Sequence, residues 1–316
     1  MKIIHIEPGQ QYQPSVIALG NFDGVHLGHQ KLLHVGLQKA KLLQIGLSVL
    51  LFDPYPLKVL YPEKKLNLLT GKEERLTLFE KIGVNQVFLL PFTLDFATTS
   101  PLEFVEKILL NIGAVHVVVG FNYSFGFQGK GNPKDLEEMG NQFGFGVSVI
   151  QAQKIGEKII SSTEIRRYLI NGEIETAKEM IGRVPKITGK VVHGDGRGRN
   201  LGYPTANVQA DEDLLIPKNG VYAVTSEIDG IIYGGMMNIG VRPTFTDEKE
   251  KTIEIYFLDY HGDLYGKELD ISIEARLRPE RKFNGKEEII RQLNKDKEEA
   301  VRVLSTKLKN SYQKKC

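Results

Sequence analysis

Cysteine is almost missing from this chain of 316 residues: Cys316, the last residue, is the only one. A lone thiol excludes an internal disulfide framework and a cysteine-based zinc cluster, and it suits a reducing compartment. Long apolar runs are missing too. The strongest, residues 49–52 and 115–119, fall far short of the roughly 20 residues that span a bilayer. The opening residues break at Pro8-Gly9 after a few apolar side chains, too few for a signal-peptide core. The expectation is a cytoplasmic protein without a membrane anchor. A charge excess of either sign is absent: 41 Lys and Arg against 39 Asp and Glu leave a formal net charge of +2. That balance argues against a dedicated nucleic-acid binder, while leaving room for a local basic patch that holds phosphates. No internal repeat or low-complexity tract is visible.

What is present is ordinary globular composition, 41% hydrophobic and 25% charged, with 32 glycines. That composition excludes a disordered, collagen-like or coiled-coil chain. At about 100–200 residues per domain, the length implies two domains. The first half alternates short apolar runs with amphipathic segments. Strands are expected at 16–19, 47–52, 86–90, 115–119 and 147–151. A helix fits 29–43, with Leu32, Leu33, Leu37, Ala40 and Leu43 at helical spacing. Thr70-Gly-Lys-Glu73 and Ser100-Pro-Leu-Glu103 read as capping boxes, and Asn132-Pro133 as a third helix start. Strand–helix alternation implies a parallel sheet with helices on both faces. Short helices follow at 163–170 and 174–181, stopped by Gly172 and Gly182. Residues 183–188 read as a linker. Beyond it the rhythm changes to strands in series at 187–192, 220–228, 231–239, 252–258 and 269–277. One helix follows at 286–309, and a frayed tail after it. That half reads as an antiparallel barrel or sandwich with a closing helix.

The string Gly20-Asn21-Phe22-Asp23-Gly24-Val25-His26-Leu27-Gly28-His29 joins the first of these strands to a helix. Open α/β sheets bind ligands at such strand ends. Glycines admit a phosphate to the backbone, and the helix start offers free N–H groups with a positive dipole end. Both histidines could donate to phosphate oxygens there. The string is neither a Walker loop nor a dinucleotide fingerprint, since its glycine spacing fits neither. A plain turn with two surface histidines and a zinc pair in want of a third ligand remain open on these residues alone. Ser161-Ser162-Thr163-Glu164-Ile165-Arg166 puts hydroxyls at a helix start with an arginine one turn inside. Each hydroxyl alone is a cap; together with Arg166 they also make a phosphate clamp.

His-x-Gly-His with a distant Ser-Ser-Thr-x-Ile-Arg resembles the nucleotidylyltransferase superfamily. The full string resembles one branch, the bacterial bifunctional riboflavin kinase/FMN adenylyltransferases, and Val119-Gly-Phe-Asn122-Tyr-Ser-Phe125-Gly126 is similar to that branch's flavin-side loop. The resemblance implies a doubly wound sheet and transfer of AMP from ATP to FMN. It implies that His26, His29 and Arg166 act on the phosphates. Gly20, Asn21, Phe22, Asp23, Gly24, Ser162 and Thr163 would bind the nucleotide, and Asn122 and Phe125 the flavin. As plain structure, Asn122 reads as a turn residue and Phe125 as a core aromatic. One departure stands out: the family shows Pro-His-Pro after the second of these strands, where this chain has Pro54-Tyr55-Pro56.

The second half carries His193-Gly194-Asp-Gly196-Arg197-Gly198-Arg199, then Gly202-Tyr203-Pro204-Thr205-Ala206-Asn207. No helix follows, so a dinucleotide reading fails, but a basic glycine-rich loop can wrap phosphates. Thr205 and Asn207, two apart, point the same way on an extended segment and offer neutral oxygens suited to Mg²⁺ already bridged by ATP. Pro-Thr-Ala-Asn resembles the riboflavin kinase signature, as do residues 235–244, 263–266 and 277–283. The resemblance implies a six-stranded barrel and phosphorylation of riboflavin. It implies Glu254 as base, Gly196, Gly198 and Arg199 on the nucleotide, Thr205 and Asn207 on the metal, and Arg278 on the flavin side. As plain structure, Glu254 is an outward-facing strand residue, and Arg197 and Arg199 are solvated loop charges.

The expected fold is therefore α/β plus β: a doubly wound parallel-sheet domain over 1–183, then a six-stranded antiparallel barrel with a C-terminal helix over 184–316. The expected activity is bifunctional, riboflavin to FMN and FMN to FAD, with ATP and Mg²⁺. The expected partners are riboflavin, FMN, FAD and ATP, with no nucleic acid and no membrane; the oligomeric state stays open. Three other readings remain at this stage. One is an adenylyltransferase with an inactive barrel, one a non-enzymatic flavin-binding regulator, and one a transferase acting on another nucleotidyl acceptor.

Overall fold

The computed structural model of the chain describes residues 1–7, 10–194, 198, 201–242 and 250–312. Contacts divide it into two compact units, Met1–Leu66 with Thr70–Ser162, and Asn67–Leu69 with Thr163–Cys316.

In chain order the first unit holds β1 (Lys2–His5), β2 (Ser15–Leu19), α1 (Leu27–Leu43), β3 (Gly46–Asp53), α2 (Pro56–Leu60) and α3 (Lys72–Ile82). It continues with β4 (Gln86–Pro91), α4 (Pro101–Phe104) running into a π-type turn at Val105–Leu109, β5 (Ala114–Gly120), α5 (Pro133–Phe143) and β6 (Gly146–Ile150). A two-stranded ribbon, β7 (Lys154–Ile155) and β8 (Lys158–Ile159), closes it. The sheet has six strands in the order β1-β4-β3-β2-β5-β6, all parallel. β2 is buried over its whole length because both faces are covered. Val16 and Ala18 face α1 and α3, meeting Leu33, Leu47 and Phe79. Ile17 and Leu19 face the other layer, meeting Phe104, Leu109 and Leu136. From β2 the chain runs outward through β3 and β4, then returns to β5 on the other side. The strand order therefore reverses between β2 and β5, and the loop after β2 lies at that switch point.

Two helix starts match expectation. Ser100 and Asn132 each make a complete capping box, with Glu103 and Asp135. The Thr70 box does not form: α3 begins at Lys72 with Gly71 as its N-cap, and Thr70 bonds elsewhere. β1 was not expected from sequence; it is a short edge strand with the exposure pattern of one, paired on one side to β4.

The second unit begins with α6 (Ser162–Asn171, its first residue grouped with the first unit) and α7 (Ile174–Ile181). Gly172 and Gly182, at φ 78° and 77°, stop these helices. Then come β9 (Lys186–Val192), β10 (Ala206–Ala210), β11 (Gly220–Ile228), β12 (Ile231–Arg242), β13 (Glu250–Phe257), β14 (Glu268–Arg278) and α8 (Lys286–Tyr312). The strands close into a barrel in the order β10-β13-β12-β11-β14-β9, every pair antiparallel. The expected linker is shorter than read, since Lys186 already pairs with Ser272. β10 supplies the sixth strand that periodicity alone did not mark. Alternate residues fill the interior, among them Ile187 and Val191 of β9 and Leu269, Ile271 and Ile273 of β14. Ala300 and Leu304 of α8 pack with Ala223 and Met236 on the outer face of β11 and β12. Helix α8 continues to Tyr312, past the point where fraying was expected.

Candidate active sites

His26 is the N-cap of α1. Its backbone is extended, at φ −70° and ψ 172°, and its Nδ1 accepts the His29 amide N–H at 3.3 Å. A neutral imidazole that accepts at Nδ1 carries its proton on Nε2. The His29 ring stacks on it, with centroids 3.7 Å apart and planes 16° from parallel. Burial, and then the His26 charge, hold the His29 imidazole well below its ordinary 6.5. The His29 Nδ1 is buried and has no hydrogen-bond partner among the described residues. The first turn of α1 contains no acidic side chain, so its positive dipole end favours an outside anion. Gly28 lies close against the His26 ring: a Cβ there would lie 3.1 Å from its Nδ1 and push the ring by a few tenths of an ångström.

The loop ahead of His26 is strained. Phe22, Gly24 and Val25 sit at φ 50°, 85° and 36°. Positive φ costs a non-glycine residue about 1–3 kcal/mol, so the surroundings must hold it. Phe22 is fully buried, edge-on to Phe79 at 5.5 Å and tilted against His29 at 5.3 Å. Asp23 is buried, and its Oδ1 accepts the Thr70 N–H at 3.1 Å and the Thr70 hydroxyl at 3.3 Å. The Thr70 oxygen accepts the Gly24 N–H at 2.9 Å. Ser162 Oγ donates to the Asp23 carbonyl at 2.8 Å. Arg75 Nη1 donates to the Asn21 carbonyl at 3.0 Å, while the Asn21 residue is otherwise exposed. Gly20 carries this chain out of β2.

Tyr55 lies beside the buried Arg75 guanidinium, which is 5.8 Å from its ring centroid. Asp53 pairs with Lys72. Burial lowers the Arg75 pKa, against the pull of Asp23, Tyr55 and Asp53. In the loop after β5, Asn122 is exposed. Phe125 is 6% exposed and belongs to the core, in ring contact with Phe104 and Tyr123. Thr163 and Arg166 follow Ser162 on α6, and Arg166 Nε donates to the Asn67 carbonyl at 2.9 Å.

In the barrel the strand register assembles the second site. Asn207 of β10 pairs directly with Glu254 of β13, which pairs with Asn238 of β12. Directly paired residues share a face. Ile253 and Ile255 point into the barrel, so this polar rung lies on the outside. Thr205 precedes β10. Gly194 lies against the Asn207 amide, where a Cβ would come within 2.0 Å of Nδ2. A Cβ on Gly198 would lie 2.3 Å from the Tyr203 carbonyl and 3.2 Å from Thr205 Oγ1. Glycine at 194 and at 198 lets the backbone at those two positions approach the segment that carries Thr205 and Asn207. Gly196, Arg197 and Arg199 lie outside the described residues. Arg278 is committed to a buried ion pair: Nε and Nη2 reach Asp296 at 2.8 Å and 2.7 Å, and Nη1 donates to the Pro279 carbonyl at 3.1 Å.

Three residues escaped the sequence reading. Thr70 was read as a cap, although the Gly71 beside it was an equally good one. Arg75 shares the buried face of α3 with Leu76 and Phe79; an arginine in phase with apolar neighbours is the signal that marks it. Asn238 lies inside a motif but acquires its place only through the register.

The FAD synthetase family profile matches residues 9–164 and the riboflavin kinase profile residues 181–304. A bifunctional riboflavin kinase/FMN adenylyltransferase of Listeria monocytogenes is 42% identical over 93% of this chain and 94% of its own. One of Bacillus subtilis is 38% identical over 96% of this chain and 99% of its own. The crystal structure of a Streptococcus pneumoniae protein titled macrolide-efflux protein superposes with a TM-score of 0.85 at 32% identity, over 94% of this chain and 98% of that one. Among the described residues here, no helix is long and apolar enough to cross a membrane. With both profiles and near-full-length relatives in agreement, this chain belongs to the family of bifunctional riboflavin kinase/FMN adenylyltransferases.

Proposed function

We propose that this chain makes FAD from riboflavin in two ATP-dependent steps, one at each site. The observation that carries the reading is the presence, in one chain, of both matched families, each with its own polar constellation. In the barrel, Glu254 takes the proton of the riboflavin 5′-hydroxyl as that oxygen attacks the γ-phosphorus of ATP; FMN and ADP leave. A hydroxyl gains from such a base. In the first unit, an oxygen of the FMN phosphate attacks the α-phosphorus of ATP; FAD forms and pyrophosphate leaves. This nucleophile is already ionised, so the site needs no base. His26, His29 and the positive end of α1 hold the charge that develops on the phosphates. Thr163 and Arg166 are assigned to the nucleotide, and Asn122 to the flavin, on their motifs. Phe125 would act on the flavin through the core it supports.

Mg²⁺ fits the barrel site. Thr205 and Asn207 supply neutral oxygens, with the Glu254 carboxylate opposite Asn207, a donor set suited to a hard cation whose remaining ligands are ATP phosphates. Among the described residues no cluster of His, Cys, Asp and Glu would hold a metal alone. When bound, the ion offsets charge on the transferring phosphoryl group.

The division at 1–183 and 184–316 is our assignment. Production of residues 1–183 tests it: FAD formation from FMN supports separable parts, and an aggregated product contradicts them. We also infer a cytoplasmic location, from the lone cysteine and the need for ATP, and no role for nucleic acid, from the balanced charge. The function itself is tested by chromatography of flavins after incubation with ATP and Mg²⁺. Riboflavin should give FMN and then FAD, and supplied FMN should give FAD. FAD from FMN only would leave an inactive barrel, and no turnover would leave a flavin-binding protein.

A further inference from the structure

We propose that Thr70 and Arg75 are positioning residues for adenylyl transfer: from the start of α3 they clamp the strained loop of residues 20–25 in the one shape that presents it to ATP. The inference rests on the reading of that loop as the nucleotide-phosphate site.

The clamp has two points. At the first, Thr70 makes three bonds to two loop residues. Its N–H and hydroxyl both donate to Asp23 Oδ1, and its oxygen accepts the Gly24 N–H. Asp23 and Thr70 are both almost wholly buried, so these bonds are made away from water, where a missing partner is most felt. At the second, Arg75 Nη1 draws the Asn21 carbonyl toward α3. In a trans peptide the C=O and the following N–H point opposite ways. Holding the Asn21 oxygen toward α3 therefore turns the Phe22 N–H away from it. Between these two points lies Phe22, and just beyond them Val25, the two non-glycine residues at positive φ in this loop. Neither residue prefers that conformation. Release of either point frees the loop to relax, and His26, next in the chain, is displaced with it.

The bonding pattern also explains the residue types. Thr70 must both donate and accept, which valine of the same shape cannot do and serine can. Arg75 is buried at 6% exposure, and its Nε has no hydrogen-bond partner among the described residues. One carbonyl bond, the Tyr55 ring and the attraction of Asp23 and Asp53 hold this guanidinium, and burial still outweighs them. Its retention under the loop is what a positioning role explains.

The test is steady-state kinetics of both reactions in the full chain with Thr70→Val, Thr70→Ser and Arg75→Met. Thr70→Val and Arg75→Met should lower kcat/KM for ATP in FAD formation at least about tenfold, the scale of a misplaced reacting group. The KM for FMN and the rate of riboflavin phosphorylation should stay within about twofold. Thr70→Ser should recover most of the loss, because it keeps all three bonds. Wild-type FAD formation in Thr70→Val would overturn the proposal. So would a parallel loss of FMN formation, which would assign Thr70 and Arg75 to fold stability, or failure of serine to rescue. A wild-type chain that forms no FAD from FMN would instead overturn the underlying reading of the loop.

Discussion

The imidazoles of His26 and His29 are stacked with their centroids 3.7 Å apart, and burial of the His29 ring, with its neighbour, favours its neutral form. A free histidine titrates near 6.5, and His29 titrates well below that in the folded chain. In acid the unfolded chain therefore takes up the proton first. The stability that neutral His29 contributes is complete above about pH 6.5 and is lost as the pH falls below it. Phosphates bound at this site favour the charged ring and raise its pKa again. ATP binding at about pH 6 should therefore take up protons. Calorimetry in two buffers of different ionisation enthalpy measures the uptake, and His29→Asn should reduce it. An uptake unchanged by that substitution would contradict the placement of His29 beside the phosphates.

Glu254 and Asn207 face each other across β10 and β13. Glu254→Gln keeps the shape and removes the base. FMN formation should fall at least about a hundredfold, the lower end for loss of a general base, while FAD formation from supplied FMN is unchanged. An unaltered kinase rate would remove Glu254 as the base.

Gly194 lies against the amide of Asn207. Gly194→Ala would place a Cβ 2.0 Å from Nδ2, so Asn207 or the loop must move. The expected outcome is a raised Mg²⁺ requirement for riboflavin phosphorylation, read from initial rates across Mg²⁺ concentrations. A rate curve that superposes on wild type would separate Asn207 from the metal.

The Arg278–Asp296 pair is largely buried, with the carboxylate side chain 4% exposed. Removal of one partner leaves the other charge stranded. Asp296→Ala should destabilise the chain by about 3 kcal/mol, measured by denaturant unfolding. A change below about 1 kcal/mol would mean that the pair adds little.

Much of this was legible in the sequence because it is local. The strand ends, the Ser100 capping box, the helix start at Asn132 and the glycine stops at Gly172 and Gly182 each depend on residues within a few positions. The two histidines were legible for the same reason: N-cap and first turn are three residues apart. Thr70 was misread because its side chain answers to Asp23, 47 positions away, and a capping pattern one residue out of register looked complete without it. Arg278 lies in the 277–283 motif, where the resemblance implies the flavin side, and only α8 brings Asp296 to it. The rung of Asn207, Glu254 and Asn238 depends on barrel register, which no single strand encodes.

The two steps are assigned to two separate sites in one chain. The most direct test is a time course of flavins from riboflavin, ATP and Mg²⁺, run on the wild-type chain and on His29→Ala. Wild type should form FMN and convert it to FAD. His29→Ala should form FMN at the wild-type rate and accumulate it, with FAD formation slowed at least about a hundredfold, as for loss of a transition-state donor. Unslowed FAD formation in His29→Ala, or an equal loss of both products, would contradict the account.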